Sequence, residues 1–251
     1  MPLGICKLCD KESDLKESHV IPKSIYNWIK KTSGSGVLRG TQNINKPVQD
    51  GFKYFWLCGK CEQKLGIYEK YFIENIFKPV NNGEKENGFN YDNRLFYFLC
   101  SIWWRIIHQS LTEDEVINSK FIGSIRACEA ELKGFLNSFI YPQNFNKNFL
   151  ALLGQVEKAP KHLKNINFIF LRTIDPLLMF DEDSCYLSLR IPHFYFFCNI
   201  EGLKLNMLKT IELSPAGGEY IVDPHPITEP HLSSFVNDRI LILMHIRKFT
   251  P

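Results

Sequence analysis

The chain has 251 residues, an apolar content of 45% with 14% aromatics, and a net charge of +3. This composition supports a hydrophobic core in one large domain or two small ones, and it excludes a chain that is disordered throughout. No apolar run reaches the roughly 18 to 20 residues that cross a bilayer and the start lacks the profile of a secretory signal, so we expect a cytoplasmic protein with no membrane partner.

The first 80 residues are predicted to form one compact unit. In chain order we expect an extended run at 15–21, a short amphipathic helix at 25–31, a β-prone aromatic run at 52–57 and a helix at about 59–77. Glycine and serine at 32–36 end the first helix, and the stretch at 81–90 ends the unit in a loop.

The rest of the chain is predicted to be helical and then β-rich. Apolar residues from Leu95 to Ile107 make one face of a helix, and a capping box at 112–115 starts another helix that runs to about residue 139. Strand patterns follow at 168–171, 185–191 and 194–200, and a last helix is expected at 231–247. The fold class is therefore α+β, with an N-terminal module at 1–80, a helical section at 90–158 and an α+β C-terminal section of unknown role at 160–251.

Four of the eight cysteines form two pairs of the type CxxC, Cys6-Lys-Leu-Cys9 and Cys58-Gly-Lys-Cys61. Each pair holds two thiolates on one tight turn, so two pairs can close a tetrahedral structural zinc site. A thioredoxin-like redox role for either pair is the alternative. The remaining cysteines are scattered among apolar residues and are predicted to fill the core; they are Cys100, Cys128, Cys185 and Cys198.

The segment Glu17-Ser18-His19-Val20-Ile21-Pro22-Lys23 lies between the two pairs. The order of a cysteine turn, a β-run, a loop, a second β-run and a CxxC at the start of a helix is that of a treble-clef zinc fold. At residues 6 to about 70 the chain resembles the HNH (ββα-metal) endonuclease superfamily, in its four-cysteine zinc type. The matching pieces are Ser18-His19-Val20-Ile21-Pro22 and Leu57-Cys58-Gly59-Lys60-Cys61-Glu62.

The resemblance implies hydrolysis of phosphodiester bonds in DNA, or in RNA, in a setting such as anti-phage defence. His19 would be the general base, a role that suits histidine because this residue type titrates near neutral pH. Glu62 stands where the family has a ligand for a catalytic Mg²⁺ or Mn²⁺ ion. Glu69, two helical turns further on the same face, is a further candidate catalytic residue.

Two points keep the interpretation open. Ser18 stands where the family usually has a metal-binding Asp or His, and Glu17 or Asp50 are the carboxylates that might compensate. The second ring nitrogen of His19 is expected to meet a backbone carbonyl or an amide such as Asn43 or Asn45. The alternative function is a catalytically inactive zinc-stapled module that binds nucleic acid or protein.

Charge and aromatic residues give weaker indications of a partner. Residues 1–80 carry 13 Lys and Arg against 8 Asp and Glu, which leaves 17 against 19 for the remainder. This excess is the distribution expected if the N-terminal module meets phosphates, and a regulatory protein or a second copy of the chain is a further expected partner. The basic residues around the expected site are Lys23, Lys30, Lys31, Arg39, Lys46 and Lys53. The run Trp103-Trp104-Arg105 could stack on bases, but its place in an apolar helix favours core packing.

Overall fold

A computed structural model of the chain describes residues 2–40, 46–85, 87–153, 171–203 and 211–221. The cysteine pairs lie in an N-terminal part that contains both strands and helices. Helices follow in the middle, and most strands lie toward the C-terminal end. This arrangement confirms the α+β class. The predicted helix at 231–247, and all but the last residue of the predicted strand at 168–171, lie outside the described residues. Among the described residues, no helix is both long and apolar enough to cross a bilayer.

The N-terminal part is built on a small antiparallel sheet with a helix on one side. Its elements are β1 (Leu3–Ile5), β2 (Glu12–His19), α1 (Lys23–Thr32), β3 (Leu38–Arg39), β4 (Pro47–Val48), β5 (Lys53–Cys58) and α2 (Gly59–Phe72). The sheet has the order β1-β2-β5. The helix predicted at 25–31 and the strand predicted at 52–57 are confirmed by α1 and β5, and α2 continues through a π-helical turn (Ile73–Phe77) into α3 (Lys78–Asn81).

A bulge in β5 lies opposite the middle of β2. Lys16 pairs with Leu57 and Glu17 with Phe55, so Trp56 is the extra residue, on β5. At this point the alternation of faces in β2 is broken, and Leu15 and Ser18, three positions apart, are both buried. His19 then follows on the more exposed face, at the end of the strand.

The middle of the chain is helical and largely buried. After β6 (Gly88–Asp92), which occupies the end of the predicted loop, come α4 (Asn93–Ser110), α5 (Asp114–Ile117) and α6 (Ile122–Ser138). Asp92 caps α4 by accepting a hydrogen bond from the backbone N–H of Arg94 at 2.9 Å. Trp103 and Trp104 are completely buried, which confirms core packing for this run.

The prediction of one helix from the capping box was wrong. The N-cap of α5 is Glu113, with no side-chain hydrogen bond to the helix, and the Thr112 hydroxyl instead donates to the carbonyl of Gln109 at 2.7 Å. Thr112 therefore belongs to the turn that follows α4, and a short α5 and a separate α6 replace the single predicted helix.

The C-terminal part forms an antiparallel sheet. Its strands are β7 (Asn148–Leu152), β8 (Asp175–Phe180), β9 (Cys185–Ile191), β10 (Phe194–Glu201), β11 (Ile211–Leu213) and β12 (Gly217–Ile221). Five of them pair in the order β11-β7-β10-β9-β8 within the described residues, and β12 pairs with β6. The strands predicted at 185–191 and 194–200 are confirmed.

One hydrophobic cluster runs through these parts, from Cys6 to Tyr220. Phe72 of α2 stacks on Phe98 of α4 with ring centroids 4.2 Å apart and meets Phe194 of β10 edge-on at 5.6 Å. Cys100, Cys128, Cys185 and Cys198 are all buried in this cluster, as predicted. The division into sections at 1–80, 90–158 and 160–251 stays a prediction.

Candidate metal centre and active site

The two CxxC pairs converge to form one thiol cluster. The Sγ atoms of Cys6, Cys9, Cys58 and Cys61 all lie within 4.8 Å of one another, and those of Cys9 and Cys58 are 3.9 Å apart. A tetrahedral zinc with bonds of about 2.3 Å to sulfur would hold the sulfurs about 3.8 Å apart. The donor set and its spacing therefore match a structural zinc ion, as the sequence predicts. Within the described residues this is the only His, Cys, Asp and Glu group of three or more that is close enough to hold a metal.

Local backbone contacts hold the four thiols in place. Cys6 follows β1 in a turn closed by the N–H of Asp10, which donates to the Cys6 carbonyl at 2.9 Å, and Asp10 itself has a left-handed φ of 58°. Cys58 ends β5 and Cys61 lies in the first turn of α2. The backbone N–H of Cys58 also points at the Cys6 sulfur, at 3.3 Å.

The same contacts set the ionisation of the thiols. Burial acts to raise the pKa of Cys6, but the backbone N–H groups of Cys9, Cys58 and Leu8 outweigh it and bring this pKa down to about 7. Burial raises the pKa of Cys61 far above its ordinary value, and that of Cys9 to a smaller extent. A metal ion that binds here must displace protons from these thiols, so its affinity depends on pH.

His19 forms a pair with Asp50. Its Nε2 lies 3.0 Å from Oδ2 of Asp50, and the two side chains are 15% and 9% exposed. The hydrogen bond from His19 holds the pKa of Asp50 below its ordinary value, against the effect of burial, and the positive charges of His19, Lys53 and Lys23 act in the same direction. The Lys53 ammonium lies 3.8 Å from Oδ1 of Asp50 and 3.0 Å from Oε2 of Glu17.

The turn that presents Asp50 needs a glycine directly after it. A Cβ on Gly51 would lie 1.9 Å from the hydroxyl oxygen of Tyr26 and 2.2 Å from the ring carbon that bears it. Tyr26 is a buried residue of α1, and burial together with the nearby charge of Asp50 raises its pKa. Helix α1 therefore supports the turn that brings Asp50 to His19.

Ser18 and Glu62 meet on the opposite side of β2. The Ser18 hydroxyl donates to Oε2 of Glu62 at 2.6 Å, and Ser18 is only 1% exposed. Glu62 lies in the first turn of α2, where a carboxylate is favoured by the helix dipole. Both oxygens are hard donors, the type that Mg²⁺ and Mn²⁺ prefer.

Glu69 has a different partner. Its Oε1 accepts a hydrogen bond at 2.7 Å from the guanidinium of Arg105, which is 1% exposed. This ion pair joins α2 to α4 and gives Glu69 a structural role. Its expected role in the reaction stays a prediction.

The sequence did not single out Asp50 as the partner of His19. Asn43 and Asn45, the amides expected there, lie outside the described residues. The dipeptide Asp50-Gly51 reads as a turn signal, and it is the sharpness of this turn that delivers the carboxylate. Among the basic residues, Lys30 donates to the carbonyl of Gln49 at 3.0 Å, one residue before Asp50.

Comparisons of the chain with protein-family models, with characterised proteins and with solved structures found no match.

Proposed function

We propose that the chain is a metal-dependent endonuclease of the HNH type that hydrolyses phosphodiester bonds in DNA. The observation that carries the proposal is the pairing of His19 with Asp50 at 3.0 Å. His19 ends β2, and the residue before it, Ser18, is hydrogen-bonded to Glu62. A general base with a carboxylate that orients it thus lies one residue along β2 from an oxygen donor pair on the other face of the strand, on a module held by four cysteines. A role in anti-phage defence is part of the same proposal and rests on the resemblance.

His19 takes the proton of the attacking water. Because the pKa of Asp50 is lowered, its carboxylate is ionised at neutral pH and only accepts hydrogen bonds. In the neutral imidazole, Nε2 therefore carries the hydrogen that is donated to Asp50, and Nδ1 keeps the lone pair that receives the proton of water. The positive charge that then develops on the ring is stabilised by the Asp50 carboxylate.

Two groups act on the other charges of the reaction. Glu62, with Ser18 beside it, would hold a divalent ion, and such an ion would supply Lewis acidity toward the phosphate oxygens. The Lys53 ammonium, paired with Glu17 and near Asp50, adds a positive charge at the edge of the site. Zinc at the four cysteines has a structural role, because a four-sulfur site has no open position for water.

The test is DNA cleavage with added Mg²⁺ or Mn²⁺, on single-stranded and duplex substrates. The wild-type protein should cleave in a reaction that depends on the added ion, and Glu62→Ala should lose that dependence together with most of its activity. His19→Ala should be inactive while it keeps its zinc and its fold. Equal rates for His19→Ala and wild type would contradict the proposal.

One observation favours the alternative of an inactive binding module. Ser18 is neutral, its hydroxyl occupies one oxygen of Glu62, and it stands where the family usually has a metal-binding Asp or His. In that case the protein should bind nucleic acid or protein with the same affinity in wild-type and His19→Ala forms, and no divalent ion should produce cleavage.

A further inference from the structure

We propose that this site acts on unpaired nucleic acid, and that Phe55 holds a base next to the attacked phosphate by stacking on it. The inference rests on the proposed nuclease function and names the substrate class that the site takes. It starts from exposed aromatic side chains on the strand that faces His19.

The register of β2 and β5 brings Phe55 to the side of the sheet that carries His19. His19 is opposite Lys53, and Glu17 is opposite Phe55. Directly opposed residues of antiparallel strands share a face, and the ion pairs of Lys53 with Glu17 and Asp50 are formed on this same face. Phe55 therefore continues the row that begins at His19 and Lys53.

The exposure of Phe55 is unusual for its strand. Its ring is 46% exposed, whereas Tyr54 and Trp56 on the other face stack on each other at 4.3 Å, and Trp56 meets His108 of α4 edge-on at 5.0 Å. A strand packed on one side normally places polar residues on its outer side. Phe52, just before β5, is 59% exposed, and its carbonyl accepts a hydrogen bond from the N–H of Val20, the residue after His19.

Exposed apolar side chains that stand alone are ordinary and need no function. Phe52 and Phe55 differ in their surroundings, since they flank Lys53, whose ammonium lies 3.8 Å from Oδ1 of Asp50, the partner of the proposed general base. An aromatic face with a lysine next to it is the combination that binds the bases and the backbone of single-stranded nucleic acid. The excess of positive charge on residues 1–80 suits the same occupant.

Spacing explains why the nucleic acid must be unpaired. Phe55 lies two residues from Lys53, which is about 7 Å along the strand. Stacked bases of a duplex follow one another at about 3.4 Å, and both faces of each base are covered by its neighbours. A base can offer a face to Phe55 only after it has left the stack, which is costly in a duplex and much easier in a single strand.

The test measures binding and stacking without cleavage. His19→Ala protein is titrated, with no added divalent ion, into a single-stranded oligonucleotide that contains the fluorescent base 2-aminopurine, and into the matching duplex. The proposal expects the single strand to bind more tightly, with a change in 2-aminopurine fluorescence. Phe55→Ala in the same background should weaken single-strand binding about 5- to 100-fold and remove the fluorescence change. Phe55→Trp should keep both.

Phe139→Ala is the matched control, because this phenylalanine is 58% exposed but lies directly after α6, where its ring meets Tyr97 of α4. It should leave single-strand binding unchanged. The proposal is overturned if Phe55→Ala binds the single strand as well as its parent, or if the duplex binds as tightly as the single strand; Phe55 would then serve a protein contact or no contact. Duplex cleavage that depends on His19 but not on Phe55 would sink this inference and leave the nuclease function standing. Binding of neither nucleic acid, with no cleavage by wild type, would remove both.

Discussion

Asp50 controls His19 through one hydrogen bond, and the whole catalytic proposal depends on the geometry of that contact. The carboxylate lies 3.0 Å from Nε2 and its side chain is 9% exposed, so water competes with it only weakly. A base that is oriented in this way does not have to be ordered again at each turnover. Replacement of Asp50 should therefore change the rate of cleavage more than the affinity for nucleic acid.

We expect Asp50→Ala to slow cleavage about 10- to 100-fold, a part of the roughly 10²- to 10⁴-fold that general base catalysis contributes. Asp50→Asn keeps an oxygen that can accept from Nε2 but loses the charge, so its loss should be smaller. Single-turnover rates at saturating enzyme measure both effects. Wild-type rates for Asp50→Ala would show that the pair is not part of the reaction.

Glu69 and Arg105 form the second pair that matters at this scale. Arg105 is almost fully buried, so removal of its partner leaves a buried charge without compensation. We expect Glu69→Ala to lower the free energy of unfolding by about 3 kcal/mol, the lower end for a buried pair because Glu69 is itself 22% exposed. Urea denaturation measures this loss.

The double variant Glu69→Ala/Arg105→Met separates structure from chemistry. It removes both charges, so most of the stability should return. Because the carboxylate of Glu69 is engaged with Arg105, we also expect this variant to cleave DNA at nearly the wild-type rate. A stable double variant without activity would assign Glu69 to the reaction.

Among the elements, the hairpin of β8 and β9 offers a clear pH dependence. The carboxylate of Asp181 accepts from the backbone N–H groups of Asp183 and Ser184, each at 2.8 Å, and from the Ser184 hydroxyl at 2.9 Å. These hydrogen bonds, the one from Asp183 first, hold the pKa of Asp181 below its ordinary value. A carboxyl whose pKa is lower in the folded state stabilises the fold above its unfolded pKa, and this contribution is lost as the pH falls through the folded value.

We therefore expect Asp181→Asn to be less stable than wild type at neutral pH, and the difference to shrink below about pH 4, where the unfolded carboxyl takes up a proton. Chemical denaturation of both proteins at each pH measures the difference, and any loss of zinc at low pH affects both alike. A difference that stays constant from neutral pH to pH 3 would mean that the charge of Asp181 is not what stabilises this turn.

Elements were predictable where the pattern is local. The alternating apolar residues of β9, the continuous apolar run of β10 and the apolar face of α4 each indicate their structure within a few residues. The bulge in β5 was not predictable, because it depends on the pairing of Leu57 and Phe55 with Lys16 and Glu17, about 40 positions earlier in the chain. The capping box failed because Thr112 bonds backward to α4 rather than forward.

At the scale of the whole molecule, the cysteine cluster joins the turn after β1 to the junction of β5 and α2. Zinc binding should supply much of the free energy of folding of this module. We expect the Cys58→Ser protein to lose its zinc. Residues 1–80 should then no longer unfold in a cooperative transition. Cys198→Ser is the control: it is also a buried cysteine but lies outside the cluster, so it should keep about one zinc per chain while losing some stability. Metal analysis and thermal denaturation of both variants measure these outcomes. A folded Cys58→Ser protein without metal would contradict the expected role of zinc in folding.

The site was predictable in part. The spacing of each CxxC pair carries the metal chemistry in four residues, so the cluster could be predicted without knowing the path of the chain. Which side chain reaches His19 depends on the course of the segment between β3 and β5, and the sequence pointed to Asn43 or Asn45 for this contact rather than to Asp50. Ser18 looked like a missing ligand, and only its contact with Glu62 shows what this buried hydroxyl does.

The central proposal is that His19 is the general base for hydrolysis of phosphodiester bonds, on a module held together by zinc. The most direct test measures zinc content and DNA cleavage on the same preparations of wild type and His19→Ala. The account predicts about one zinc per chain in both proteins, and cleavage with added Mg²⁺ or Mn²⁺ that falls about 10²- to 10⁴-fold in the variant. Equal cleavage by two proteins of equal zinc content, or no cleavage by a wild-type protein that holds its zinc, would contradict it.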